Sequence, residues 1–179
     1  MIYDCFSYLD EDLLLNLRLN ILDKYVDYFV IVEGNKTWQN NSKELKFDIN
    51  KYEKFKDKIM EDSKTHLPKN WSKHHLKDQS QRNYILNGLN NFNDDDWIII
   101  SDLDEIPNPK TICNFDPKFK FAVFQQKLFY YKFNLISPNN FWYGSRIVVK
   151  KFLKSPQWLR NFKVKKKNIW VYKRRNKNY

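Results

Sequence analysis

The run Trp97-Ile98-Ile99-Ile100-Ser101 constrains this chain more than any other segment. Four large apolar residues stand together with no polar side chain at either phase of a two-residue alternation. The segment therefore reads as a strand buried on both faces. Such a strand needs cover on each side of its sheet, which an α/β architecture supplies. The run ends at once in Asp102-Leu103-Asp104-Glu105-Ile106-Pro107, and Pro107 with Pro109 stops the strand there. A buried strand thus delivers three carboxylates to its own C-terminal end.

The segments before it follow the same logic. Residues 3–8 alternate and are rich in aromatics, which predicts a first strand. Asp10-Glu11-Asp12 then suits the positive end of a helix, and Leu14, Leu17, Ile21 and Tyr25 recur at three- and four-residue steps along it. Residues 28–32 are a second continuous apolar run, closed by Glu33-Gly34. Strand, helix, strand implies a parallel, right-handed unit. Residues 35–43 read as a polar loop and 49–59 as a Lys-rich helix. Residues 76–92 read as an amphipathic helix with Ile85, Leu89 and Phe92 on one face and Arg82 on another. Asp94-Asp95-Asp96 reads as a turn, and residues 121–136 and 147–152 as further, antiparallel strands. No repeat or linker is visible, and 179 residues suit one domain. The expected fold class is α/β, a mixed, mainly parallel sheet flanked by helices.

Composition narrows the function. Aromatics make up 17% of the chain and there are only 3 glycines, which argues against disorder and against a Gly-rich phosphate loop. Cys5 and Cys113 stand in no metal or redox spacing, the acidic start lacks the basic region of a signal peptide, and no apolar run reaches the roughly 20 residues of a spanning helix. A cytoplasmic location is expected. Residues 1–105 hold 14 basic and 20 acidic side chains, whereas residues 106–179 hold 18 basic ones and a single acid, Asp116. From Lys150 onward there are 12 Lys or Arg and no acid. Two readings stand beside each other: peripheral attraction to an anionic membrane, glycan or nucleic acid, or a solvated face of a Lys-rich chain. No nucleic-acid motif accompanies the charge, so nucleic acid is the weaker partner.

Asp102 and Asp104 alternate in an extended segment and fall on one side of it, at the strand edge where open α/β sheets collect ligands. Two hard oxygen donors there suit Mg²⁺ or Mn²⁺. A solvated acidic turn is the bland alternative. A phosphatase with a nucleophilic Asp-x-Asp would need further acids downstream, and only Asp116 follows.

Taken together, Asp4-Cys5-Phe6, Glu11, Arg18-Leu19-Asn20, Val26 to Glu33, Gln81-Arg82-Asn83 with Gly88-Leu89, and Ile100 to Pro107 resemble glycosyltransferase family 17. The likeness runs from Asp4 to about Arg160. It implies a GT-A-type nucleotide-sugar fold, an inverting transfer of a sugar, N-acetylglucosamine from UDP-N-acetylglucosamine in the characterised branch, and a glycan acceptor. The loop after Glu33 departs from the family's pattern, and its later Gly-Trp-His segment is absent. A C-terminal truncation is therefore expected, with an inactive donor-binding fragment as the alternative to an active enzyme.

Within that resemblance, an acceptor hydroxyl must lose a proton while a metal stabilises the departing diphosphate. Asp102 and Asp104 are the metal candidates and, with Glu105, the catalytic ones. Glu105 is open between orienting the donor, acting as base and bracing the turn. Glu33 stands at a strand end where it would reach nucleotide or acceptor, with a solvated strand-end charge as the alternative. Arg82 is a candidate for the diphosphate, since a guanidinium suits bidentate phosphate, with a surface helix arginine as the alternative. Phe6 and Tyr8 are candidates to sandwich the uracil, with core packing as the alternative. Trp142, Tyr143 and Trp158 are candidates for sugar stacking, again against core. His74-His75 lacks ligand spacing for a metal.

Overall fold

The computed structural model describes residues 1–36, 41–61, 74–89, 92–131 and 134–162. Its centre is a six-stranded sheet in the order β3-β2-β1-β4-β8-β5: β1 (Ile2–Tyr8), β2 (Tyr28–Glu33), β3 (Ile59–Glu61), β4 (Trp97–Asp102), β5 (Phe121–Val123) and β8 (Arg146–Val149). The strands β3, β2, β1 and β4 run parallel, and β8 returns antiparallel between β4 and β5. The three strands read from sequence are thus parallel neighbours, with β1 in the middle. A second sheet of two antiparallel strands, β6 (Gln126–Phe129) and β7 (Ile136–Trp142), leaves Phe129, Ile136 and Phe141 exposed.

Alternation along the strands divides the core in two. Phe6, Tyr8, Phe29, Ile31 and Ile99 face the helix α1 (Asp12–Leu22), while Tyr3, Cys5, Val30, Val32, Ile98 and Ile100 face the opposite layer. That opposite layer is built from α2 (His74–Asn83), the 3-10 turns of Tyr84–Leu89 and α4 (Pro156–Arg160); α3 (Pro109–Ile112) follows the acidic turn.

The expected faces and boundaries differ at five places, two of them late in the chain: residues 121–136 divide among β5, β6 and the start of β7, and β8 ends at Val149, where Lys150–Phe152 takes 3-10 geometry. Helix α1 buries Leu15, Arg18, Leu19 and Leu22, while Leu17 is exposed and Leu14 and Ile21 are only partly covered. The buried stripe contains an arginine, which an apolar count discards, so periodicity alone points to the neighbouring face. Residues 49–58 are 3-10 turns kinked at Tyr52, and Ile59 already belongs to β3. The helix read over 76–92 tightens to 3-10 geometry at Tyr84, before Phe92. Asp94 and Asp95 do form a turn, and Cys5 is buried and Cys113 exposed, both free. Among the described residues no helix is long and apolar enough to cross a membrane.

Candidate functional site

The parallel register puts the carboxyl ends of three strands side by side: Ser7 lies opposite Asp102, and Tyr8 opposite Glu33. Strand β4 ends at Asp102 and the chain turns back immediately, the amide of Glu105 donating to the Asp102 carbonyl at 3.0 Å. Leu103 and Glu105 point inward, each 5% exposed, while Asp104 projects to solvent. Alternation also decides which arginine each residue of the strand end meets. Ser101 is in phase with Ile99 on the α1 face, and Asp102 in phase with Ile100 on the α2 and α4 face.

On the α1 face, Arg18 is wholly buried and holds Asp4 in a two-pronged pair, Nε to Oδ2 at 2.8 Å and Nη2 to Oδ1 at 2.6 Å. The same guanidinium donates to the Ser101 hydroxyl at 2.5 Å and to the carbonyls of Asp102, Leu103 and Glu105 at 3.0, 3.1 and 3.4 Å. It lies 4.4 Å from the centre of the Phe6 ring.

On the other face, Asp102 is gripped from two helices: Arg82 donates to Oδ1 at 2.8 Å and Arg160 to Oδ2 at 2.7 Å. Arg82 is braced by the Gln157 side chain at 2.5 Å. Arg160 also reaches Glu105, with Nη1 to Oε2 at 2.5 Å and Nη2 to Oε1 at 3.0 Å. The remaining bonds to the Glu105 carboxylate come from the Asp102 amide at 2.9 Å and the Trp142 indole at 2.6 Å. Gly144 passes directly beneath, and both Arg146, at 2.7 Å, and Arg160 donate to its carbonyl. A Cβ on Gly144 would sit 2.0 Å from Glu105 Oε1 and 2.3 Å from the Trp142 indole nitrogen, so only glycine fits. Arg146 is buried, and desolvation first, then repulsion from Arg160, pushes its guanidinium down to about 10. Its Nε and that of Arg82 are buried without a hydrogen-bond partner among the described residues.

Among the described residues Asp104 is the acid of the turn with no arginine on it. Its carboxylate takes a bond from its own amide, and it is raised above the ordinary carboxylate range, first by desolvation and then by the negative charges of Glu105 and Asp102. A hard cation relieves that repulsion, so Asp104 fits as a ligand for Mg²⁺ or Mn²⁺, with water and phosphate oxygens completing the shell. Asp102 has one guanidinium bond on each oxygen, so of the two acids Asp104 is the more open to a cation. Among the described residues no three His, Cys, Asp or Glu side chains converge as a protein-only metal cage.

The structure brings Arg82, Trp142, Asp102, Asp104 and Glu105 together. It does not bring Phe6, Tyr8 or Glu33 to an open cleft. Phe6 and Tyr8 are 0% and 1% exposed, because β1 is central and covered on both sides, so neither ring is open to a base. The Tyr8 hydroxyl instead donates to Asp12 at 2.6 Å. Glu33 is fully buried and fastens a loop, accepting from Lys43 and from the amides of Lys46 and Phe47 at 2.9 and 2.8 Å. Trp158 packs against Phe121 and Phe162, whereas Tyr143 is half-buried beside Trp142. His74 and His75 start α2, and their side chains lie outside the described residues.

Sequence reasoning missed Arg146, Arg160 and Gly144. A signal existed for Arg146, a charge opening the apolar run Ile147-Val148-Val149. The basic end is also less bare than its composition implies. Lys150 and Lys151 pair with Asp94 and Asp95 at 3.6 and 2.6 Å, and Arg160 with Asp102 and Glu105. Residues 163–179, with eight of the twelve cations, lie outside the described residues.

Comparison with curated proteins and with solved structures gives no match. A family model for glycosyltransferase family 17 matches residues 1–166. That span takes in the whole sheet, the acidic turn and all three arginines of the cluster. The chain belongs to glycosyltransferase family 17, and its chemistry is the transfer of a sugar from a donor to a glycan acceptor.

Proposed function

We propose that this family 17 glycosyltransferase binds a UDP-sugar donor, UDP-N-acetylglucosamine by resemblance, in a GT-A-type arrangement and transfers the sugar with inversion. The observation that carries the reading is the contrast inside one turn: among the described residues Asp102 and Glu105 are neutralised by arginines, while Asp104 has none on it and is electrostatically crowded. A divalent cation bound there supplies charge for the departing diphosphate. Asp104 would hold it. Arg82 and Arg160 stand beside it with planar donors suited to phosphate oxygens. Glu105 is buried and fully bonded, which suits bracing the site rather than abstracting a proton. Its bond to the indole fixes Trp142, which is 45% exposed and offers a flat apolar face to a sugar ring.

Titration of UDP and UDP-N-acetylglucosamine by calorimetry, with and without Mn²⁺, tests this. Binding should require the metal and vanish in Asp104→Ala. Metal-independent binding, or unchanged binding in that variant, overturns the assignment of Asp104, and preference for another nucleotide sugar overturns the donor. Contact with anionic membrane is a second reading, carried by the eight cations and absent acids of residues 163–179. Co-sedimentation that is equal on neutral and anionic vesicles removes it.

A further inference from the structure

We infer that Arg18 is a positioning residue for the acidic turn: it sets the backbone that aims Asp104, and does so from the far side of the sheet. This rests on the reading that Asp104 meets the donor's metal. The turn 102–105 is short, and its own Glu105 to Asp102 backbone bond fixes only its two ends. Three of its carbonyls, those of Asp102, Leu103 and Glu105, point into the protein and converge on one nitrogen, Nη1 of Arg18; the first two are held closely, and the third is shared with the Ser145 hydroxyl, which donates to it at 2.6 Å. The other guanidinium nitrogens are anchored on β1 through Asp4 and on β4 through Ser101. A rigid planar fork with five donors therefore ties helix, two strands and turn into one unit. Lysine has the charge but not the fork, and a point charge satisfies Asp4 without holding three carbonyls. Arg18 is a full cation at 0% exposure on a helix face otherwise made of Leu15, Leu19 and Leu22, so its place there answers to these polar partners and not to solvent.

The test separates the ion pair from the turn. Asp4→Asn weakens the pair and leaves the carbonyl bonds. Arg18→Lys keeps the charge and loses them. Arg18→Met with Asp4→Leu replaces the pair by apolar side chains of similar size, an exchange that folded proteins often tolerate. Amide hydrogen exchange over residues 101–106 is read against β2, with Mn²⁺ and UDP titration alongside. In wild type the Glu105 amide should be protected like the core of β4; exchange there at the rate of an unstructured peptide overturns the proposal whether or not any variant folds. Arg18→Lys and the double variant should speed exchange in the turn and weaken Mn²⁺-dependent UDP binding by about tenfold or more, the loss of at least one charge-assisted bond. Asp4→Asn should change both by less than about threefold, since its carbonyl bonds persist. Equal loosening in Asp4→Asn and the double variant, or a folded Arg18→Lys with wild-type exchange, overturns the positioning role. If wild type binds no metal and UDP while the exchange pattern holds, the donor reading falls and the placement of the turn by Arg18 stands.

Discussion

The indole nitrogen of Trp142 lies 2.6 Å from Oε1 of Glu105, so the end of the β6-β7 sheet is bolted to the acidic turn of the central sheet. The same oxygen accepts from Arg160, and Gly144 closes the space beneath both. Glu105 thus works as a junction between two sheets and a helix.

Gly144→Ala should break that junction. The new methyl group overlaps Glu105 and Trp142, and overpacking of this kind costs about 1–3 kcal/mol. The melting temperature should fall and the tryptophan emission should shift to the red as Trp142 is pushed into water. An unshifted spectrum with wild-type stability would show that the junction yields freely.

Arg160→Met should cost about 3 kcal/mol, because it leaves Glu105 buried without its cation. The pairing is tested by the double variant Arg160→Met/Glu105→Gln in chemical denaturation. It should be more stable than Arg160→Met alone; additive losses would mean that the two groups do not interact.

Asp104→Asn should stabilise the protein at neutral pH while abolishing metal-dependent donor binding. The fold raises the Asp104 carboxyl, so it favours the neutral acid: that contribution is complete below the ordinary carboxylate pKa of about 3.9 and is lost as pH rises through the raised folded value. Melting curves against pH should show the variant ahead at pH 7 and level with wild type in acid. A lead that widens on acidification contradicts the electrostatic origin.

Glu33→Gln should loosen the segment it fastens. The carboxylate accepts from Lys43 and two backbone amides at full burial, and its loss should cost about 2 kcal/mol. Limited proteolysis should cut near residue 43 sooner in the variant, with UDP affinity unchanged once folded. Loss of UDP affinity without any change in cleavage would return Glu33 to the substrate.

The strands of this fold were legible because Tyr28 to Val32 and Trp97 to Ser101 are buried on both faces and so carry no competing period. The strand-end position of Asp102 followed from the same runs. What escaped reading was long-range polar pairing. Arg18 occupies a slot in an apolar stripe, and only the position of Asp4 and of residues 101–105 in space explains it. Glu33 and Glu105 look alike in sequence, acids just past apolar strands, yet one pins a loop and the other joins two sheets. Phe6 and Tyr8 were read toward a ligand because strand ends attract that reading; the neighbours that cover them come from Leu15 and Leu19 and from Phe47, too far along the chain for periodicity to report.

Arg18 also has a history in time. During synthesis it emerges with Asp4 only fourteen residues behind it, but the carbonyls it will hold begin 84 residues further on. At the usual pace of about 5–20 residues per second, the ribosome needs on the order of ten seconds to deliver them. Through that interval α1 carries a guanidinium half satisfied and still in need of water, and so cannot seal onto β1. The acidic turn cannot lock before that moment, when β1, β2, β3 and β4 have been made and β5 and β8 are still to come.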